Sequence, residues 1–138
     1  MNIKKVLAYQ VLDSRGRPTV AVTLTLSDGS IHTARVPSGA STGAHEAHEL
    51  RDAGGTKAEN FYGGKSVFSA VANVNQIIAP KLIGHSLNPA AIDGILVEVD
   101  PTPGHQRIGA NATLATSLAV AKASAHASGK SLARFYQP

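Results

Sequence analysis

From Thr19 to Leu26 the chain alternates without a break, with Val20, Val22, Leu24 and Leu26 on one side and Thr19, Ala21, Thr23 and Thr25 on the other. A period of two puts every second side chain on the same face, so this run predicts a strand with one buried face. Asp28-Gly29 follows as a tight-turn signal, and Ile31 to Val36 returns as the next strand. Upstream, residues 3 to 12 carry Ile3, Val6, Leu7, Tyr9 and Val11 and read as a strand, joined to the alternating run by turn chemistry from Asp13 to Pro18. Connections this short make the three strands an antiparallel meander.

Beyond residue 65 the period becomes helical. Val67, Val71, Val74 and Ile78 form one stripe, with Ser66 placed to cap the helix and Pro80 to end it. Asn88-Pro89 provides a cap and a first-turn proline for a second helix that turns Ile92, Ile95, Leu96 and Val99 inward, weakened at Gly94. A third helix runs from Ala110 to about Ser128, with Gly129 as its stop signal. Eight of its residues are alanine, which permits close approach of neighbours, and Leu114 and Leu118 are its expected anchors. Arg134, Phe135 and Tyr136 open a further short element. Strands first and helices afterwards predict an α+β domain over residues 1–138, a three-stranded sheet with helices on one face.

Composition narrows the function classes. The chain has 138 residues and no cysteine, which excludes disulfides and thiolate metal sites and suits the cytoplasm. No window approaches the ~18 apolar residues of a membrane span, and Met1 to Val6 lacks the apolar run of a signal peptide, so a soluble cytoplasmic protein is expected. The net charge of +4 is scattered, with Lys4-Lys5 the only adjacent basic pair and six Phe and Tyr in all. Nucleic-acid binders concentrate such charge on one face or interleave it with aromatics, so the balance suits mild attraction for phosphorylated metabolites instead.

The stretch richest in chemistry is Val36-Pro37-Ser38-Gly39-Ala40-Ser41-Thr42-Gly43. Two glycines, two serines and a threonine within six residues make a hydroxyl-rich loop whose backbone N–H groups can approach an anion. The polar run that follows, Ala44 to Asp52, reads as a helix. On that helix His45 and Glu49 would share a face, but the spacing is not His-Glu-x-x-His, and a solvated surface is the simpler reading. Gly63-Gly64-Lys65-Ser66 has the ending of a phosphate-binding P-loop, yet Glu59 stands where that pattern needs its first glycine, so a helix-entry turn is expected. Asn111-Ala112-Thr113 is a formal glycosylation sequon, better read as the mouth of the alanine-rich helix. Ser, His and acidic residues are all present, but no self-contained hydrolase emerges.

Three stretches together resemble the N-terminal domain of the enolase (phosphopyruvate hydratase) family. They are Leu12-Asp13-Ser14-Arg15-Gly16-Arg17-Pro18-Thr19-Val20, the Ser38–Gly43 loop with its tail Glu49-Leu50-Arg51-Asp52, and Gly109-Ala110-Asn111-Ala112-Thr113-Leu114 leading into Ser117-Leu118-Ala119. Order and spacing match from about residue 3 to about residue 136. The resemblance implies that Ser38, Gly39, Ala40, Ser41, Thr42 and Gly43 form a lid over a substrate site, and that Ser41 ligates the second of two Mg²⁺ ions on closure. The implied reaction is reversible dehydration of 2-phosphoglycerate to phosphoenolpyruvate in glycolysis. Its proton-transfer residues lie on a (β/α)₈ barrel of about 250 residues that these 138 do not contain, so the chain alone is expected to be inactive.

Departures from the family pattern bear on assembly. Tyr9 and Ala21 stand where arginine and glutamate are common; the resemblance implies that these positions face a partner subunit through ion pairs, so a homo-oligomer of this chain is expected to lack the usual contact. Arg17 replaces a common asparagine, His45 and His48 replace apolar or aromatic residues, and Ala115-Thr116 replaces Gly-Val. Two other readings remain open at this stage: a lid for a different phosphorylated or phosphonate acid, and a stand-alone binding or oligomerising module.

Overall fold

The computed structural model describes residues 1–39, 41–53 and 61–137. The meander forms as the alternation requires: β1 (Ile3–Leu12), β2 (Pro18–Leu26) and β3 (Ile31–Arg35) make one antiparallel sheet in the order β1-β2-β3. The turn between β1 and β2 is built by Asp13, whose Oδ1 accepts the backbone N–H groups of Arg15 (2.8 Å) and Arg17 (2.9 Å). Register sets Ala8 beside Val22 and Val22 beside Ala34, so these side chains share one face with Val6, Val20 and Leu24, and all are buried.

Helices cover that face. They are α1 (Phe68–Asn73), α2 (Ala79–Leu82), α3 (Pro89–Val99), α4 (Ala110–Ala127) and α5 (Leu132–Tyr136), with short 3₁₀ turns at Tyr62–Gly64 and Pro103–His105. The α+β architecture is as expected, and the described residues contain a single sheet and no barrel. Asn88 caps α3 by accepting the N–H of Ala91 at 3.1 Å, and Gly129 (φ +65°) closes α4 with its N–H on the His126 carbonyl.

Four local expectations are corrected. The Ala44–Asp52 run is not helical; beyond a turn at Ala44-His45 it is irregular backbone whose hydrogen bonds go to distant partners. His48 N–H donates to Gly104 O, Ala110 N–H to His48 O, and Asp52 N–H to Ser66 O. These bonds satisfy the polar backbone without an intrahelical ladder. Ser66 does not cap α1: Asp52 does, its carboxylate accepting the N–H groups of Phe68 (2.7 Å) and Ser69 (3.0 Å), while the buried Ser66 hydroxyl has no partner among the described residues.

Pro80 does not end the helix. A π-helical stretch, Val74–Ile78, joins α1 to α2, and the chain stays helical through Pro80 to Leu82. The wider turn accommodates a ring that would clash with the carbonyl four residues earlier in an α-helix. The same stretch carries Asn75, whose amide pairs with both backbone groups of Ala8 on the edge strand β1. Finally, α4 is anchored by Ala112, Ala115, Ala119, Val120 and Ala123, all completely buried, whereas Leu114 is 43% exposed. Alanine permits α4 to lie close over β2 and β3, and the larger leucine is displaced to the rim.

Candidate functional site

The loop leaves the sheet just after β3. Val36 is still buried and paired, its N–H on Val20 O and its carbonyl accepting the Thr19 hydroxyl at 2.8 Å. One turn on, Ser38 is gripped on two sides. Arg15 Nη2 donates to Ser38 O at 2.8 Å and to Gly39 O at 3.4 Å. The Ser38 hydroxyl donates to Glu49 Oε2 (3.3 Å) and accepts from Arg51 Nη2 (3.4 Å), and the Arg51–Glu49 ion pair itself measures 2.7 Å. Arg51 Nη1 reaches further, to Pro18 O at 2.8 Å and to Lys65 O. On the far side of the loop, Glu46 Oε2 accepts the Gly43 N–H at 2.9 Å.

Gly39, Ser41, Thr42 and Gly43 are exposed, Ser38 is half-buried, and Ala40 lies outside the described residues. Gly39 is packed against its own loop: a Cβ there would stand 3.1 Å from Ser41 O, tighter than ordinary contact. Asp13, which positions the Arg15 backbone, is held below the usual carboxylate range chiefly by the N–H of Arg17, against a smaller opposing effect of burial.

Two recesses border this arrangement. A cavity of about 180 Å³ runs under the loop between Pro37, Ser38, Glu46, Glu49 and the first turns of α4 at Asn111 and Leu114. Next to it a larger apolar groove of about 320 Å³ lies between α3 and α4, lined by Leu96, Val97, His105, Ala110 and Leu114. Val97 is 55% exposed at its edge.

Ser38, Gly39, Ser41, Thr42 and Gly43 follow one another at this rim, with Ala40 outside the described residues, while His45, read above as a helix neighbour of Glu49, stands in a turn and Glu49 sits on irregular backbone where Arg51 engages it. Among the described residues no three His, Asp or Glu side chains converge as metal ligands. Ser41 contributes a hydroxyl and a carbonyl, hard oxygens of the kind Mg²⁺ takes, so the donor chemistry fits but the chain alone supplies only a fraction of an octahedral shell. Sequence reading gave no role to Arg15, Glu49 and Arg51 as the loop's fasteners. Their partners are up to 33 residues away, and no local pattern announces such pairs.

An α+β domain that presents a rooted, hydroxyl-rich glycine loop beside an uncovered apolar groove is a distinctive type, and its relatives are identifiable. The family described as enolase, N-terminal domain, matches residues 3–136, and the chain belongs to that family. It is similar to the enolase of Mycoplasma pneumoniae (55% identity over 134 residues, 96% of this chain and 28% of the relative). Similarity to the enolase of Campylobacter jejuni subsp. doylei is 53% over 134 residues, covering 96% of this chain and 31% of the relative. With the enolase of Anaplasma phagocytophilum it is 54% over 124 residues, covering 89% and 28%. The chain thus spans less than a third of the length of these relatives. No helix of the described residues is long and apolar enough to cross a membrane.

Proposed function

We propose that this chain is the lid domain of a cytoplasmic enolase, acting with a (β/α)₈ barrel in the reversible dehydration of 2-phosphoglycerate to phosphoenolpyruvate. The observation that carries the reading is the Ser38–Gly43 loop, fastened at Ser38 and at Gly43 and exposed at Gly39, Ser41 and Thr42, standing over a groove that runs to the apolar face of α3 and α4. A loop held at both ends and free in the middle can close without unfolding its supports.

Each part then has a task. Ser41 would offer its hydroxyl and carbonyl oxygens to Mg²⁺ at the closed site. When bound, the metal supplies electrostatic stabilisation of negative charge developing on the substrate. Gly39 and Gly43 allow the backbone to move in, and the closed loop excludes water. The general acid and base belong to the barrel, so residues 1–138 alone form no product.

The barrel would seat on the groove between α3 and α4, where Val97 and Leu114 expose apolar surface next to the loop. Titration calorimetry of this chain against the separately expressed barrel of the Mycoplasma pneumoniae enolase tests the seat. Binding that Leu114→Glu weakens at least about tenfold, with the domain's unfolding midpoint unchanged, supports it. Binding of equal strength by the variant sinks that placement.

A further inference from the structure

We propose that Arg51, working through the Ser38 hydroxyl, is a positioning residue for the loop, fixing the point from which residues 39–43 depart. The inference rests on the loop being the working part of the domain. Its evidence is the geometry at the loop's root.

Arg51 is a junction. Its side chain is only 19% exposed and it bonds to three separate stations: Pro18 O at the start of β2, Lys65 O in the turn before α1, and Ser38 Oγ at the start of the loop. Glu49, 2.7 Å away, neutralises it and shares the same hydroxyl. A guanidinium suits this role because its donors lie in a fixed plane, so two of them on rigid backbone carbonyls determine where the third points. Bonds to an ionised partner are also stronger than neutral ones. The Ser38 hydroxyl therefore sits at a place dictated by β2 and the 62–65 turn, while Arg15 holds the carbonyl of the same residue from the other side.

The consequence is a fixed hinge. Ser38 has its side chain and its carbonyl both engaged, whereas Gly39 follows with no side chain and Ser41 is exposed. Motion of the loop begins beyond Ser38, with Gly39 held only by the longer 3.4 Å bond from Arg15 to its carbonyl, and not within β3. A lysine would keep the charge at position 51 but lose the planar fork, so charge alone does not preserve the hinge.

The test is ¹⁵N relaxation on the 138-residue chain as wild type, Ser38→Ala, Arg51→Met and the double variant. The proposal predicts that the backbone order parameter at residue 38 falls from about 0.85 to below about 0.6 in either single variant, while Val22 and Leu24 stay near about 0.85. Because both substitutions break one linkage, the double variant falls no lower at residue 38 than Arg51→Met does. An unchanged order parameter at residue 38 in Ser38→Ala overturns the proposal, and this conservative variant decides the matter even if Arg51→Met fails to fold. Turnover with an added barrel reports separately on the lid reading: relaxation that behaves as predicted without turnover leaves the hinge standing and removes the lid, and the reverse removes the hinge alone.

Discussion

Asn111 and Leu50 exchange two hydrogen bonds: Leu50 N–H donates to Asn111 Oδ1 at 3.1 Å, and Asn111 Nδ2 donates to Leu50 O at 3.0 Å. The side-chain amide thereby stands in for a strand partner and stitches the segment after the loop to the first turn of α4. Asn111 is 3% exposed, so neither bond is replaced by water when the amide is removed. Replacing it with leucine leaves two backbone groups unsatisfied, at a cost of about 2–3 kcal/mol. Urea denaturation of Asn111→Leu measures that loss; a midpoint equal to wild type would mean the pair contributes nothing.

Two glycines give opposite predictions. At Gly109, with φ +99°, a Cβ would meet both Asn111 Oδ1 and Leu50 Cβ at 2.6 Å, so Gly109→Ala strains the backbone and pries apart the same junction. A loss of at least ~2 kcal/mol is expected. At Gly94, inside α3, an added Cβ meets nothing within 4 Å, and Gly94→Ala should gain about 0.5–1 kcal/mol from helix propensity. Thermal unfolding of the two variants checks both signs.

His32 of β3 and His126 of α4 place their rings 4.9 Å apart. Burial holds the His32 imidazole below its usual value, the charge of His126 pushes the same way, and Asp28 opposes them. The folded state therefore binds fewer protons than the unfolded chain just below the ordinary histidine range. Stability should be intact above about pH 6.5 and decline as pH falls below it. Lys122, one turn before His126 and bonded to Thr33 O, adds a positive charge on the same helix. The urea midpoint should drop between about pH 7.5 and about pH 5.5, and drop less in His32→Gln. An equal drop in both would assign the effect to other groups.

The meander can be read from sequence because its information is local: alternation fixes the strands, and Asp13 and Asp28-Gly29 fix the turns. The segment from Ala44 to Asp52 cannot, since its polar composition favours a helix while its real partners are Gly104, Asn111 and Ser66. The same holds for the cap of α1, which comes from Asp52 rather than the adjacent Ser66. In the loop, glycine and hydroxyl residue types are legible, but the fasteners Arg15, in the turn after β1, and Arg51, on the irregular segment before Asp52, become visible only when the fold brings them to Ser38. Leu114 misleads for a related reason: an apolar residue on a helix suggests core, yet the core of α4 is built of alanine.

The role proposed for Ser41 is in a reaction whose acid and base lie on another domain. It is tested by absorbance measurement of phosphoenolpyruvate formation from 2-phosphoglycerate in Mg²⁺ buffer, with this chain alone, the separately expressed enolase barrel alone, and the two together. We expect no turnover from either part, turnover from the mixture, and a loss of at least about a hundredfold when the chain carries Ser41→Ala. Product formed by the 138 residues alone, or a mixture in which Ser41→Ala turns over like wild type, would contradict it.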